Sequence, residues 1–130
     1  IEENDLWNIL KFSNVVVNIF STITIEACIF DTPVVNMWYF PKVRRAVRQP
    51  VYRAYPLVLH IRRVIESGAA EVATSREKLI ELIDAAIKDP LRQKEQRRQL
   101  VFSECGALDS KSAERIATEV HEELTRPTAP

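Results

Sequence analysis

The chain predicts an α/β fold: a Rossmann-like parallel half-sheet with flanking helices and extra helices towards its C-terminal end. Three observations lead there. Val15–Ile19 is an apolar run rich in β-branched residues, Ser21 and Thr22 follow as a hydroxyl pair, and Val34–Met37 is a second apolar run behind Pro33. No Gly or Pro lies between Ser21 and Asp31, so nothing interrupts a helix there. Strand, turn, helix and strand in that order make a βαβ unit, and continuous apolar strands suit a parallel sheet covered on both faces.

Taken in order, the segment from Asp5 to Phe12 places Leu6, Ile9 and Leu10 at helical spacing. It reads as a short amphipathic helix with Asp5 at or near its cap, ending before Asn14. Val15–Ile19 is the first strand, Thr22–Phe30 a helix capped by Ser21, and Val34–Met37 the second strand. Residues 38–57 are different: Pro41, Pro50 and Pro56 punctuate a stretch rich in aromatics and arginine, which argues against one long helix. An extended loop with a short helical turn around Lys42–Val47 is expected there. A helical pattern resumes from Leu57 to Ser67 with Gly68 as C-cap, and Glu71–Ala73 reads as a third strand. Ser75 caps the next helix, whose apolar face is Leu79, Leu82, Ile83 and Ala86 and which ends at Asp89-Pro90. Two further helices are expected over Leu91–Ser103 and Ser112–Leu124, more than three strands need.

At 130 residues, 46% of them hydrophobic and 28% charged, the composition suits one soluble domain over 1–126 with a frayed tail at 127–130. The first residue is Ile1 rather than Met, so a fragment of a larger protein is expected. No apolar run approaches the roughly 18 residues a membrane span needs, and no secretory signal opens the chain. Cys28 and Cys105 have no metal-ligand spacing around them; Cys28, in an apolar helix, reads as a small buried hydrophobe, and a reducing, cytoplasmic compartment fits. No bound metal or cofactor is expected.

Net charge is zero but unevenly spread. Thr32 to Ile65 holds seven cationic residues (Lys42, Arg44, Arg45, Arg48, Arg53, Arg62 and Arg63) and no acid, whereas 13 of the 18 acids lie from Glu66 onward. A local basic field gathers anionic ligands without making the whole chain basic. Three functional readings of this segment stand beside a structural one, a solvated cover pairing with acids of the tail. It contacts a diphosphate, or an anionic acceptor, or rests on an anionic membrane surface with its aromatics at the headgroups. Nucleic acid is not an expected partner, because no recognised binding module accompanies the arginines.

Candidate site residues cluster at the first turn. With Ser21 as N-cap and Thr22 first in the helix, Glu26 lies four residues on and shares a face with Thr22. Capping does not explain Glu26, because a capping-box acid would stand at position 24, which is Thr24. An acid on a mostly apolar helix needs a partner. Ligand hydroxyls and an arginine of the basic loop are the two alternatives, with Arg48 among the candidate cations. His60, near the start of a helix, is either structural or a proton-transfer or phosphate group; His121, among Glu119, Glu122 and Glu123, reads as solvated surface.

The string Asn14–Val35, with Ser21-Thr-Ile-Thr-Ile-Glu-Ala at its centre and Asp31-Thr-Pro-Val-Val after it, resembles the donor-binding half of a GT-B glycosyltransferase. The pattern is a strand, a small or hydroxyl-bearing turn, an acid followed by alanine, then a glycine or small residue, any residue, and Pro-Val into the next strand. Ser75-Arg-Glu-Lys-Leu and Asp89-Pro90 are also similar to that class, so the likeness spans Asn14 to about Leu124. It implies the C-terminal domain of a GT-B fold, with Ser21 and Thr22 on the donor phosphates and Glu26 on the ribose; His60 and Arg48 (one of Arg44, Arg45, Arg48 and Arg53) are further candidates for the same nucleotide-sugar site from their own setting. A missing N-terminal domain would supply the catalytic base, so the fragment alone would be inactive. The acceptor would be a surface polysaccharide or lipid-linked, with peripheral contact at the inner face of the membrane. Nucleotide-sugar 2-epimerases and polymer-forming glycerophosphotransferases share this architecture, so an epimerase is an alternative; a non-catalytic module docking through its basic loop is another. The chain departs from the pattern at Phe20-Ser21, where many members carry glycine, and at Asn18 and Ile19, where some branches carry a second acid.

Overall fold

A computed structural model describes residues 3–39 and 59–126. The basic, aromatic segment 40–58, with the expected turn at Lys42–Val47 and with Arg48, lies outside the described residues, as does the tail at 127–130. The fold is α/β, with a small, open, three-stranded parallel sheet and six helices among the described residues. In chain order these are α1 (Glu3–Phe12), β1 (Val16–Asn18), α2 (Ile23–Ile29), β2 (Val34–Met37), α3 (Leu59–Ser67), β3 (Glu71–Ala73), α4 (Arg76–Lys88), α5 (Lys94–Cys105) and α6 (Ser112–Thr125).

The strands lie in the order β1-β2-β3. Val16 pairs with Val34 and Asn18 with Asn36 across β1 and β2; Val35 pairs with Glu71 and Met37 with Ala73 across β2 and β3. Central β2 has both faces covered, which is why its sequence is apolar without alternation. Val34 faces a core with Leu10, Ala27, Cys28, Val64, Leu100 and Val101, contributed by α1, α2, α3 and α5. Val35 faces the opposite way, onto Ala73 and Leu82 of α4. At edge strand β1, Val17 remains partly exposed.

The helix boundaries follow local chemistry. Ser75, in extended backbone, accepts the Lys78 N–H at 3.1 Å and starts α4 as the sequence predicts. Gly68 ends α3 with φ +65, a left-handed geometry that glycine adopts without strain. Three expectations need correction. The first helix reaches back to Glu3, so Asp5 lies inside it rather than at its cap. The helix expected from Leu91 begins at Lys94, because a turn follows Asp89-Pro90 and Gln93 adopts a left-handed φ of 63° before helix geometry sets in. The third concerns α2 and bears on the site.

Candidate functional site

The loop between β1 and α2 is built by two asparagines that end apolar strands. Asn18 and Asn36 face each other in register at the carboxyl ends of β1 and β2. Asn36 Oδ1 accepts the Phe20 N–H at 3.2 Å and the Thr24 hydroxyl at 3.1 Å. Asn18 Oδ1 accepts the Ser21 N–H at 3.2 Å, and its Nδ2 donates to Thr24 Oγ1 at the same distance. Thr24 and Asn36 are buried. Asn36 Nδ2, equally buried, has no hydrogen-bond partner among the described residues. This network holds Phe20 at φ 43, a left-handed conformation that costs a bulky residue about 1–2 kcal/mol. The Phe20 ring, buried, packs edge-on against Trp38 at a centroid distance of 5.1 Å.

Ser21 is therefore not the N-cap. Thr22 occupies that place, already in helical geometry (φ −56, ψ −24), and its side chain makes no capping bond. The polar interior at Asn18 and Asn36 draws the Phe20 and Ser21 N–H groups inward, which displaces the helix start by one residue. Inside the helix, Thr24 N–H bonds to Ser21 C=O and Ile25 N–H to Thr22 C=O, at 3.0 and 2.9 Å. Among the described residues only the Thr22 and Ile23 N–H groups of this turn lack an acceptor, and they stand beside the exposed hydroxyls of Ser21 and Thr22. Four donors in one turn suit one phosphoryl group.

Glu26 lies four residues beyond Thr22, about 6 Å along the helix, half-buried. Of the two partners considered for it, no described cation pairs with it, and the basic segment lies outside the described residues. Its carboxylate belongs to a residue one helical turn along from the donors at the start of α2. Cys28, two residues further, is no nucleophile: burial pushes its thiol up to about 12. His60 stands in the first turn of α3, with its side chain outside the description, and Arg48 lies wholly outside it. The structure thus puts Ser21 and Thr22 at the start of α2 and Glu26 one helical turn along it, and does not place the other two. His121 is exposed on α6, as expected. No group of three His, Cys, Asp or Glu converges as a metal site among the described residues, and no described helix is long and apolar enough to cross a membrane.

Sequence reasoning missed Asn18, Thr24 and Asn36 as the residues that shape the turn. The signal was present: each asparagine is the polar residue in an otherwise apolar strand, at matching places in the two strands. The sequence matches no protein-family model, and it has no significant match among curated proteins or solved structures.

Proposed function

We propose that this chain is the donor-binding half of a GT-B-like glycosyltransferase that moves a sugar from a nucleotide-sugar to a surface-polysaccharide or lipid-linked acceptor. The observation that carries the reading is Glu26. It is a half-buried carboxylate without a described cationic partner, one helical turn beyond a cluster of unclaimed donors at the carboxyl end of a parallel sheet. In open α/β sheets ligands settle outside the carboxyl ends of strands. The Thr22 and Ile23 N–H groups and the two hydroxyls would take a donor phosphate, and Glu26 the ribose hydroxyls. Arginines of the 32–65 segment, Arg48 among them, and His60 would complete the charge balance, and a facing domain would bring acceptor and base. The reading rests on resemblance for the sugar and on geometry for the phosphate.

Calorimetric titration of the protein with uridine, cytidine and guanosine diphosphates tests it. One of the three should bind, and Glu26→Ala should weaken that binding by about tenfold, roughly 1.4 kcal/mol, with the melting temperature unchanged. Absence of binding to all three, or equal binding by the variant, rejects the assignment.

A further inference from the structure

Among the described residues, helix α6 is an amphipathic helix with nothing to sit on. Its fourteen residues include none that is buried. Ala113, Ile116, Ala117, Val120 and Leu124 nevertheless form one stripe at helical spacing, and Glu119 and Glu123 run along its edge. An apolar stripe of this kind is ordinarily covered.

A groove of matching character lies between α2 and α5. It has a volume of about 250 Å³ and is lined by Cys28, Ile29, Val101 and Leu108, with Lys94, Arg98 and the carboxylate of Asp31. Lys94 contacts Asp31 at 3.2 Å, and among the described residues no ion pair engages Arg98. Phe102, largely exposed, extends the apolar end of the same ridge of α5.

Charge and spacing match between the two. Lys94 and Arg98 are four residues apart on α5, as Glu119 and Glu123 are on α6. With the helices antiparallel, Glu119 meets Arg98, Glu123 meets Lys94, and Ile116 falls on Val101. In this register both charge pairs form with Ile116 over Val101, whereas a parallel register that pairs the same charges sets Val101 against Arg126. Among the described residues Glu123 is held only by an exposed contact with Arg126 at 3.0 Å, which a docked helix can give up.

We propose that α6 docks into the α2/α5 groove of a second copy of this chain, reciprocally, so that the protein forms a twofold dimer by exchange of its last helix. A second copy is favoured over the chain's own groove by the connection. Asp109 accepts the Lys111 N–H at 3.1 Å and the Arg115 guanidinium at 2.8 Å, and Ser110 holds φ 60, so the connection is tied to the first turn of α6, a helix with no buried residue. Exchange covers the stripe without undoing that clasp, and a reciprocal contact closes on itself.

Sedimentation equilibrium of the full chain over a concentration series, with hydrogen exchange on the same samples, decides the matter. A dimer is expected, with α6 amides protected in step with dimerisation. Arg98→Glu and Ile116→Asp, both at exposed positions, should each weaken it by at least about tenfold, or 1.4 kcal/mol. The double variant Arg98→Glu with Glu119→Arg should recover most of what the single charge reversal loses. A monomer at every concentration overturns the proposal, whether α6 is unprotected or is protected by closing on its own groove. A dimer indifferent to both single variants overturns it too.

Discussion

Arg97 drives two donors into one oxygen of Asp31, with Nε at 2.8 Å and Nη2 at 2.7 Å, across 66 residues of sequence. The guanidinium is 1% exposed, and its other donors reach the carbonyls of Arg92 and Pro90 at 2.7 and 2.8 Å. The end of α2, the turn before α5 and α5 itself are joined at this one side chain. Asp31 holds φ 58, a conformation in which glycine would be more comfortable. Asp31→Gly should nevertheless destabilise the protein by about 3–5 kcal/mol, because it leaves a buried cation unpaired. Arg97→Met should cost less. Asp31 is about a third exposed and keeps Lys94, and the freed carbonyls belong to exposed residues that water can reach. Urea unfolding of both variants tests the order; a neutral Asp31→Gly would show the pair to be absent in solution.

That ion pair also marks where the sequence stops being legible. Nothing local separates Arg97 from its neighbour Arg98 in Lys-Glu-Gln-Arg-Arg-Gln; one is buried and the other exposed because only the first reaches Asp31. The strands were readable because β2 is apolar on both faces, and the start of α4 was readable because Ser75 acts within three residues. The place of the α2 cap was not. It depends on Asn36, sixteen residues from the Phe20 N–H that it binds. At the candidate site, residue types and helical spacing brought Ser21, Thr22 and Glu26 forward, whereas Asn36 reaches the turn only because β2 pairs with β1.

Phe20 should reverse the usual order of alanine and glycine. Either substitution loses a buried ring, at about 3–5 kcal/mol. At φ 43, however, alanine retains the left-handed penalty that glycine escapes, so Phe20→Gly should be more stable than Phe20→Ala by about 1 kcal/mol. Asn36→Ala, which removes the side-chain acceptor of the Phe20 N–H and leaves the Thr24 hydroxyl only the longer contact to Asn18 Oδ1 at 3.4 Å, should cost about 1–3 kcal/mol. Denaturant midpoints of the three variants suffice, and an alanine variant as stable as the glycine one would contradict the turn geometry.

The two thiols should behave differently. Cys105 is exposed at the end of α5, while Cys28 is buried under it. A disulfide reagent at mildly alkaline pH should therefore modify one thiol promptly and the second only as the protein unfolds. Burial raises the folded Cys28 thiol from 9.0 to about 12, with the nearby Arg97 opposing. The folded state then binds this proton more tightly than the unfolded state. The contribution to stability is complete below pH 9.0 and is lost as pH rises towards about 12. Cys28→Ala should flatten that alkaline slope in a series of urea titrations; a slope unchanged by the substitution would assign it to other groups.

Asp109 sets the opposite dependence at the start of α6. The Arg115 guanidinium, helped by the Lys111 N–H, holds its carboxyl below the usual 3.8. The folded state therefore binds this proton less tightly, so the clasp is at full strength above pH 3.8 and fails as pH falls through the lowered value. Both partners are largely solvent-exposed, which makes the effect local and salt-sensitive rather than global. Amide exchange in the first turn of α6 should be steady from neutral pH down to about 3.8 and faster below it, after correction for intrinsic rates. Asp109→Asn should show the loosened turn already at neutral pH, with no further change on acidification. Glu77 supplies the control, since its carboxyl is also lowered, by its own backbone N–H and by Ser75, yet it guards α4. Substituting Glu77 should leave the α6 profile untouched, and an α6 response to Glu77→Gln would mean that the loosening is not carried by Asp109.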